Sequence, residues 1–116
     1  MIVPVLKLIL VHGEPEHEDD FVLAVSVDIG VEGGIGVEYF YCRIMTPKRV
    51  LKLLEEDHVV YGRATFIIDK FDLSLVEAEI NQMLKNCIRP TWDEVTKAIN
   101  RYLDWEYDDS QYKTLE

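Results

Sequence analysis

The chain has 116 residues, of which 48% are hydrophobic, and its 22 acidic and 12 basic residues give a formal net charge of −10. The length suits a single domain over residues 1–116, and the hydrophobic content excludes an intrinsically disordered chain. A surface this negative repels nucleic acid and anionic membranes, whereas it attracts basic protein partners.

The sequence shows neither a membrane helix nor a signal peptide. No stretch approaches the roughly 20 apolar residues of a membrane helix, and the short apolar start runs into Lys7 rather than a cleavage site. We therefore expect a cytoplasmic protein. Cys42 and Cys87 stand in apolar patterns and form no Cys-x-x-Cys pair, so we expect buried, reduced thiols.

Alternation of apolar and polar residues predicts three strands in the N-terminal part, over Ile2 to Val11, Phe21 to Val31 and Val37 to Met45. In strand one, the shared parity predicts a buried face that is formed by Leu6, Leu8 and Leu10, with Lys7 opposite. In strand three, the parity predicts that Phe40, Cys42 and Ile44 point inward, whereas Tyr39, Tyr41 and Arg43 point outward.

Capping signals predict three helices around a fourth strand. Thr46 followed by Pro47 is typical of a helix start, and the helix should extend to Glu56. A β-rich stretch from His58 to Lys70 predicts strand four, and capping-box spacing at Ser74 and Thr91 predicts two amphipathic helices. The order βββαβαα predicts an α+β fold with an antiparallel four-stranded sheet and three helices that cover one face.

Acidic residues concentrate in two clusters, which we predict to bind a partner. The loop after strand one carries Glu14, Glu16, Glu18, Asp19 and Asp20. The C-terminal cluster mixes acids with aromatic residues and comprises Asp104, Trp105, Glu106, Tyr107, Asp108 and Asp109. Trp105 either anchors a basic partner or pins the C-terminal segment onto the domain, and the sequence favours neither alternative.

The sequence does not match the catalytic and cofactor-binding motifs with which it can be compared. The sequence has no phosphate-binding loop, and both cysteines fall at predicted core positions, where a reactive thiolate is disfavoured. The one plausible metal constellation joins His12 and His17 to the loop acids, but its spacing matches neither a His-x-x-x-His helix nor a calcium-binding loop. We therefore predict no cofactor, no metal site and no catalytic residue.

Short motifs in a defined order resemble a known family. They are Phe40-x-Cys42-x-Ile44, Thr46-Pro47-Lys48 before a short helix, Phe66-Ile67-Ile68, Thr91-Trp92-x-Glu94-Val95 and Arg101-Tyr102-x-x-Trp105-Glu106-Tyr107. Over roughly Asp20 to Tyr107 this pattern is similar to the immunity protein 8 family of bacterial polymorphic-toxin systems. The resemblance implies a protein that binds a toxin domain delivered by a neighbouring cell, as in contact-dependent growth inhibition, and neutralises it in the cytosol.

Three hypotheses follow from these observations. The favoured one is an antitoxin of this kind, a monomer or weak homodimer that binds a basic, nuclease-type toxin and is not an enzyme. The alternatives are a small metal-dependent hydrolase that uses His12 and His17, and an acidic adaptor subunit without a toxin partner.

Overall fold

A five-stranded sheet organises the computed structural model, which describes residues 1–107. The strands are β1 (Pro4–His12), β2 (Val22–Val31), β3 (Glu38–Met45), β4 (Thr65–Ile67) and β5 (Asp104–Trp105). The helices are α1 (Pro47–Asp57), α2 (Leu73–Leu84) and α3 (Trp92–Ile99). None of the helices within residues 1–107 is long and apolar enough to cross a membrane.

The sheet is mixed and has five strands, so the prediction of an antiparallel four-stranded sheet is wrong in both respects. The strands β1, β2 and β3 form the expected antiparallel meander. By contrast, β4 pairs with β3 in parallel, because the chain returns to the sheet through α1. A strand that follows a helical crossover commonly runs parallel to the strand before it. The predicted element order therefore already contained the signal for a mixed sheet.

Both short strands lie along the edge of β3 that β2 leaves open. β4 pairs with residues 43–45 of β3, and β5 pairs antiparallel with Phe40 and Tyr41. The predicted strand from His58 to Lys70 shrinks to three residues. Its extended backbone is interrupted because Ala64 has a φ of 50°. The two-residue β5 was missed because two residues carry no readable period.

A β-bulge at Lys7 changes which leucines of β1 are buried. Leu6 lies opposite Ile29, but Leu8 lies opposite Asp28, so Lys7 is an extra residue in the ladder. Beyond the bulge, Leu8 and Leu10 are 55% and 52% exposed, whereas Ile9 and Val11 pack on the core. The expected buried face of strand one is therefore wrong beyond Leu6, because an inserted residue reverses the parity.

The core lies between the inner sheet face and the helices α2 and α3. Its sheet residues include Val25, Val27, Ile29, Phe40 and Ile44. Its helical side contains Val76, Ile80, Val95, Ile99 and the following Leu103. The predicted inward set of β3 is confirmed, since Phe40, Cys42 and Ile44 are buried, and Tyr39 and Tyr41 are exposed as expected. α1 buries none of its residues, so the helical cover of the core comes from α2 and α3.

The helix starts follow the capping signals in part. Thr91 caps α3 as predicted, because its Oγ1 accepts the N–H of Glu94 at 3.2 Å. α2 begins earlier than the Ser74 pattern predicts, because the carboxylate of Asp72 caps it by accepting the N–H of Ser74. Thr46 precedes α1 as predicted, but its buried hydroxyl accepts the N–H of Phe21 instead of capping the helix.

Candidate partner-binding site

The acidic loop between β1 and β2 is folded against the N-terminal half of α1. Asp20 accepts hydrogen bonds from Nε of Arg49 at 2.9 Å and from the ammonium group of Lys52. Asp19 pairs with Nζ of Lys48 at 2.6 Å, and Glu16 pairs with Nη2 of Arg49 at 3.0 Å. Ion pairs thus connect three of the five predicted loop acids to one helix.

Asp20 is the buried centre of this cluster. Its side chain is only 7% exposed, whereas that of Glu16 is 72% exposed. The hydrogen bonds from Lys52 and then Arg49 lower the pKa of Asp20 below its ordinary value, so it stays ionised. Because both of its oxygens are paired and its side chain is buried, Asp20 has little surface with which to contact another protein.

The backbone also holds the loop in place. The carbonyl of Glu18 accepts the N–H of Phe71 at 2.8 Å, and the ring of Phe71 packs edge-on against Phe21. Glu14 and Glu18 are exposed and form no ion pair among the residues that the structure describes. Five loop acids against three helix bases leave two negative charges on a fixed loop.

The C-terminal cluster is built into the sheet. Asp104 Oδ1 accepts a hydrogen bond from Nε of Arg63 at 2.8 Å. Trp105 packs against the core, its indole N–H lies 3.3 Å from Glu38, and its ring meets Tyr107 edge-on. Of the two alternatives for Trp105, these contacts favour the one in which it pins the C-terminal segment.

The remaining members of this cluster differ in environment. Tyr107 is half exposed, and Oε2 of Glu106 is buried without a hydrogen-bond partner within residues 1–107. Asp108 and Asp109 lie outside the described residues. No ion pair in the described part of the chain joins the two clusters. The two clusters lie at different positions along β3. The acidic loop contacts α1, which begins after the end of β3, whereas β5 pairs with Tyr41, about 15 Å back along the strand.

Sequence reasoning missed the contribution of α1. The bases Lys48, Arg49 and Lys52 recur at helical spacing opposite a loop of five acids, and this charge pairing was the available signal. It also missed that the helix leaves Leu51 63% exposed and that Val59 and Tyr61 beyond it are 73% and 75% exposed.

His12 and His17, the histidines of the hypothetical metal site, contact different parts of the protein. The Nε2 atom of His12 hydrogen-bonds Ser26 on the neighbouring strand, and His17 forms an isolated bridge with Asp20 in the loop. Among residues 1–107, no three His, Cys, Asp or Glu side chains are grouped to hold a metal ion. The arrangement therefore gives no support to the hydrolase alternative.

The two cysteine thiols are buried. Burial, with a smaller effect of Asp104, raises the pKa of Cys42 to about 12, and burial also raises the pKa of Cys87. Both thiols are therefore protonated at neutral pH. A cavity of about 760 Å³ between residues 61–66 and α2 has no histidine or cysteine in its lining.

Comparison with known proteins gives one match. No curated protein sequence matches the chain. No solved structure matches it either. The sequence profile of the immunity protein 8 family matches residues 5–110, which include every strand and helix described in residues 1–107 except the first residue of β1. The match also spans the motifs in which the sequence resembles this family, and the chain therefore belongs to the immunity protein 8 family.

Proposed function

We propose that this chain is an immunity protein that binds a cognate toxin domain in the cytoplasm of the cell that makes it, and neutralises that domain by contact alone. The family match over residues 5–110 carries the proposal, because the family implies a toxin protein as the partner and a non-enzymatic role. The setting would be contact-dependent inhibition between neighbouring bacteria.

The charge of the protein supports a basic toxin. With a formal net charge of −10, the chain attracts positive surfaces over a long range. Nucleases are basic where they hold phosphates, so carboxylates can occupy the same positions. A nuclease-type toxin therefore fits the protein, and the acids would block its substrate site or an adjacent surface.

The exposure of the loop acids supports different tasks for them. Glu14, Glu16 and Glu18 are exposed and suited to attract the toxin, and Asp19 is also half exposed, whereas the buried Asp20 mainly holds the loop on α1. The loop is already ordered by these pairs, so little conformational entropy is lost when it meets a partner. In the second cluster, Tyr107 offers an exposed ring, and Asp104 and Trp105 fix its position.

A kinetic experiment tests this steering role. The probe is the purified cognate toxin domain, which is to be sought among the genes beside that of this chain. The double variant Glu14→Gln, Glu18→Gln should associate several-fold more slowly than the wild type, with a weaker dependence on salt. The matched control Glu32→Gln, Glu79→Gln removes two exposed charges elsewhere and should change the rate less. An association rate that does not vary with salt would contradict electrostatic steering.

A further inference from the structure

The charges of α1 oppose the helix dipole at both ends. The helix carries Lys48, Arg49 and Lys52 in its N-terminal half and has no acid in its first turn. Its last residues are Glu55, Glu56 and Asp57, with no base in the last turn. Since the N-terminus of a helix favours negative charge and the C-terminus favours positive charge, both distributions are unfavourable.

The protein compensates only one of these two ends. The bases at the N-terminal end form ion pairs with Glu16, Asp19 and Asp20 of the acidic loop. The three acids at the C-terminal end form no ion pair within residues 1–107. A positive group from another molecule can therefore compensate the acids at the C-terminal end, as the loop acids compensate the bases at the N-terminal end.

Exposed apolar side chains accompany the uncompensated acids. Leu51 and Leu54 are spaced to lie on one side of the helix and are 63% and 37% exposed. Val59, which follows the helix after one residue, is 73% exposed. His58 ends the helix with a φ of 65°, and its N–H bonds the carbonyl of Leu54, so the turn is well defined. Apolar side chains that are surrounded by charges are typical of an interaction surface.

We propose that the exposed C-terminal half of α1 and the turn after it, comprising Leu51, Leu54, Glu55, Glu56, Asp57 and Val59, is the docking surface for the cognate toxin. We call this set the α1 surface. The inference rests on the proposed function and deepens it by naming the contact surface. The toxin would place an apolar contact on Leu51 and Leu54, with lysine or arginine side chains around it that meet the three acids.

Charge complementarity favours the toxin over a second copy of the chain as the partner of the α1 surface. In an antiparallel pair of copies the acids of this surface would approach the bases of the twin helix, but those bases are already paired with the acidic loop. Two copies that each carry a net charge of −10 also repel one another at long range. A basic toxin surface instead pairs with the acids and reverses the unfavourable charge at the helix C-terminus. The acidic loop lies against the other half of the same helix, so the loop and the α1 surface can meet one partner together.

Charge reversal provides a test that separates binding from folding. In the variant Glu55→Lys, Glu56→Lys, affinity for the purified cognate toxin domain should fall at least tenfold. Its melting temperature should stay the same or rise, because lysines suit a helix C-terminus. The matched control Glu77→Lys, Glu79→Lys makes the same charge change on α2 and should weaken binding less than threefold.

A second pair of variants tests the apolar centre. Leu51→Gln keeps a good helix former at the position and should speed toxin dissociation about tenfold or more. Its control is Leu75→Gln on α2, where the leucine is 44% exposed, and this change should leave dissociation nearly unaltered. Sedimentation of the wild type and of Leu51→Gln establishes whether the same surface joins two copies.

Each outcome decides between the two proposals. If the wild type does not bind the toxin domain, the proposed function and the α1 surface both fail. If the wild type binds and the α1 variants bind equally well, only the α1 surface is overturned. If Leu51→Gln dissolves a dimer and leaves toxin affinity unchanged, the surface serves a second copy, and the inference is also overturned.

Discussion

The Nε atom of Arg49 lies 2.9 Å from Oδ1 of Asp20, and this carboxylate is only 7% exposed. The pair links the acidic loop to a helix that buries none of its own residues. The loop therefore has two tasks, since its buried acid positions α1 and its exposed acids face solvent. A substitution that treats all five loop acids alike would mix a folding defect with a binding defect.

Removing the buried charge should destabilise the protein. In Asp20→Asn, Arg49 loses its buried anionic partner, and we expect a melting temperature about 4 to 8 °C lower at neutral pH. Asp19→Asn is the matched control, because the Asp19 side chain is 51% exposed and should change melting little. Thermal unfolding followed by circular dichroism measures both. Equal melting of the two variants would contradict the central position of Asp20.

The same carboxylate predicts a dependence on acid pH. Hydrogen bonds from Lys52 and Arg49 lower the folded-state pKa of Asp20 below 3.8. A lowered folded pKa adds stability above the unfolded pKa, and that stability is lost as pH falls through the folded value. The melting difference between wild type and Asp20→Asn should therefore be constant above about pH 5 and shrink below pH 4. A difference that widens on acidification would contradict this assignment.

A tight backbone contact near the bulge predicts a strong effect at Gly30. A Cβ atom at Gly30 would lie 2.4 Å from the carbonyl oxygen of Gly36, so the backbone must shift to accept it. Gly30→Ala should lower the free energy of unfolding by about 1 to 3 kcal/mol. Gly36→Ala is the control, because nothing lies within 4 Å of its added Cβ. Urea unfolding that ranks the two variants equally would count against the contact.

Arg63 holds β5 on the sheet through two groups. Its guanidinium binds Asp104 at 2.8 Å and the carbonyl of Asn100 at 2.7 Å, and the Asn100 side chain accepts the N–H of Trp105. Arg63→Met should raise hydrogen exchange at the Trp105 amide about tenfold, with little change in global stability. Arg101→Met, at another exposed arginine, should leave that amide unchanged. Unaltered protection in Arg63→Met would show that β5 is held by other contacts.

Sequence patterns predicted the long elements and failed at the short or irregular ones. The alternation in β2 and β3 was readable because one face is buried along their whole length. The bulge at Lys7 could not be predicted from the sequence. The residues after it still alternate, and the alternation does not show which of the two sets faces the core. β5 depends on tertiary pairing with Phe40 and Tyr41, which no local sequence signal reports.

The candidate site was only partly predictable for a related reason. Composition located the acidic loop, but exposure of each acid depends on bases about 30 residues away in α1. Helical spacing does not tell whether the leucines of α1 are covered or exposed, since the spacing is the same in both cases. Only the folded arrangement shows that Leu51 is exposed, and that the acids at the end of α1 have no internal counterpart in residues 1–107.

Growth of bacteria that produce a cognate toxin domain, sought among the genes beside that of this chain, tests the central claim most directly. The toxin domain alone should arrest growth, and co-expression of this chain should restore growth while the two proteins purify as one complex. The charge-reversed variant Glu55→Lys, Glu56→Lys should be produced and folded but should restore growth less well. Growth arrest that persists at full expression of the folded wild-type chain would contradict the account of an immunity protein for this toxin.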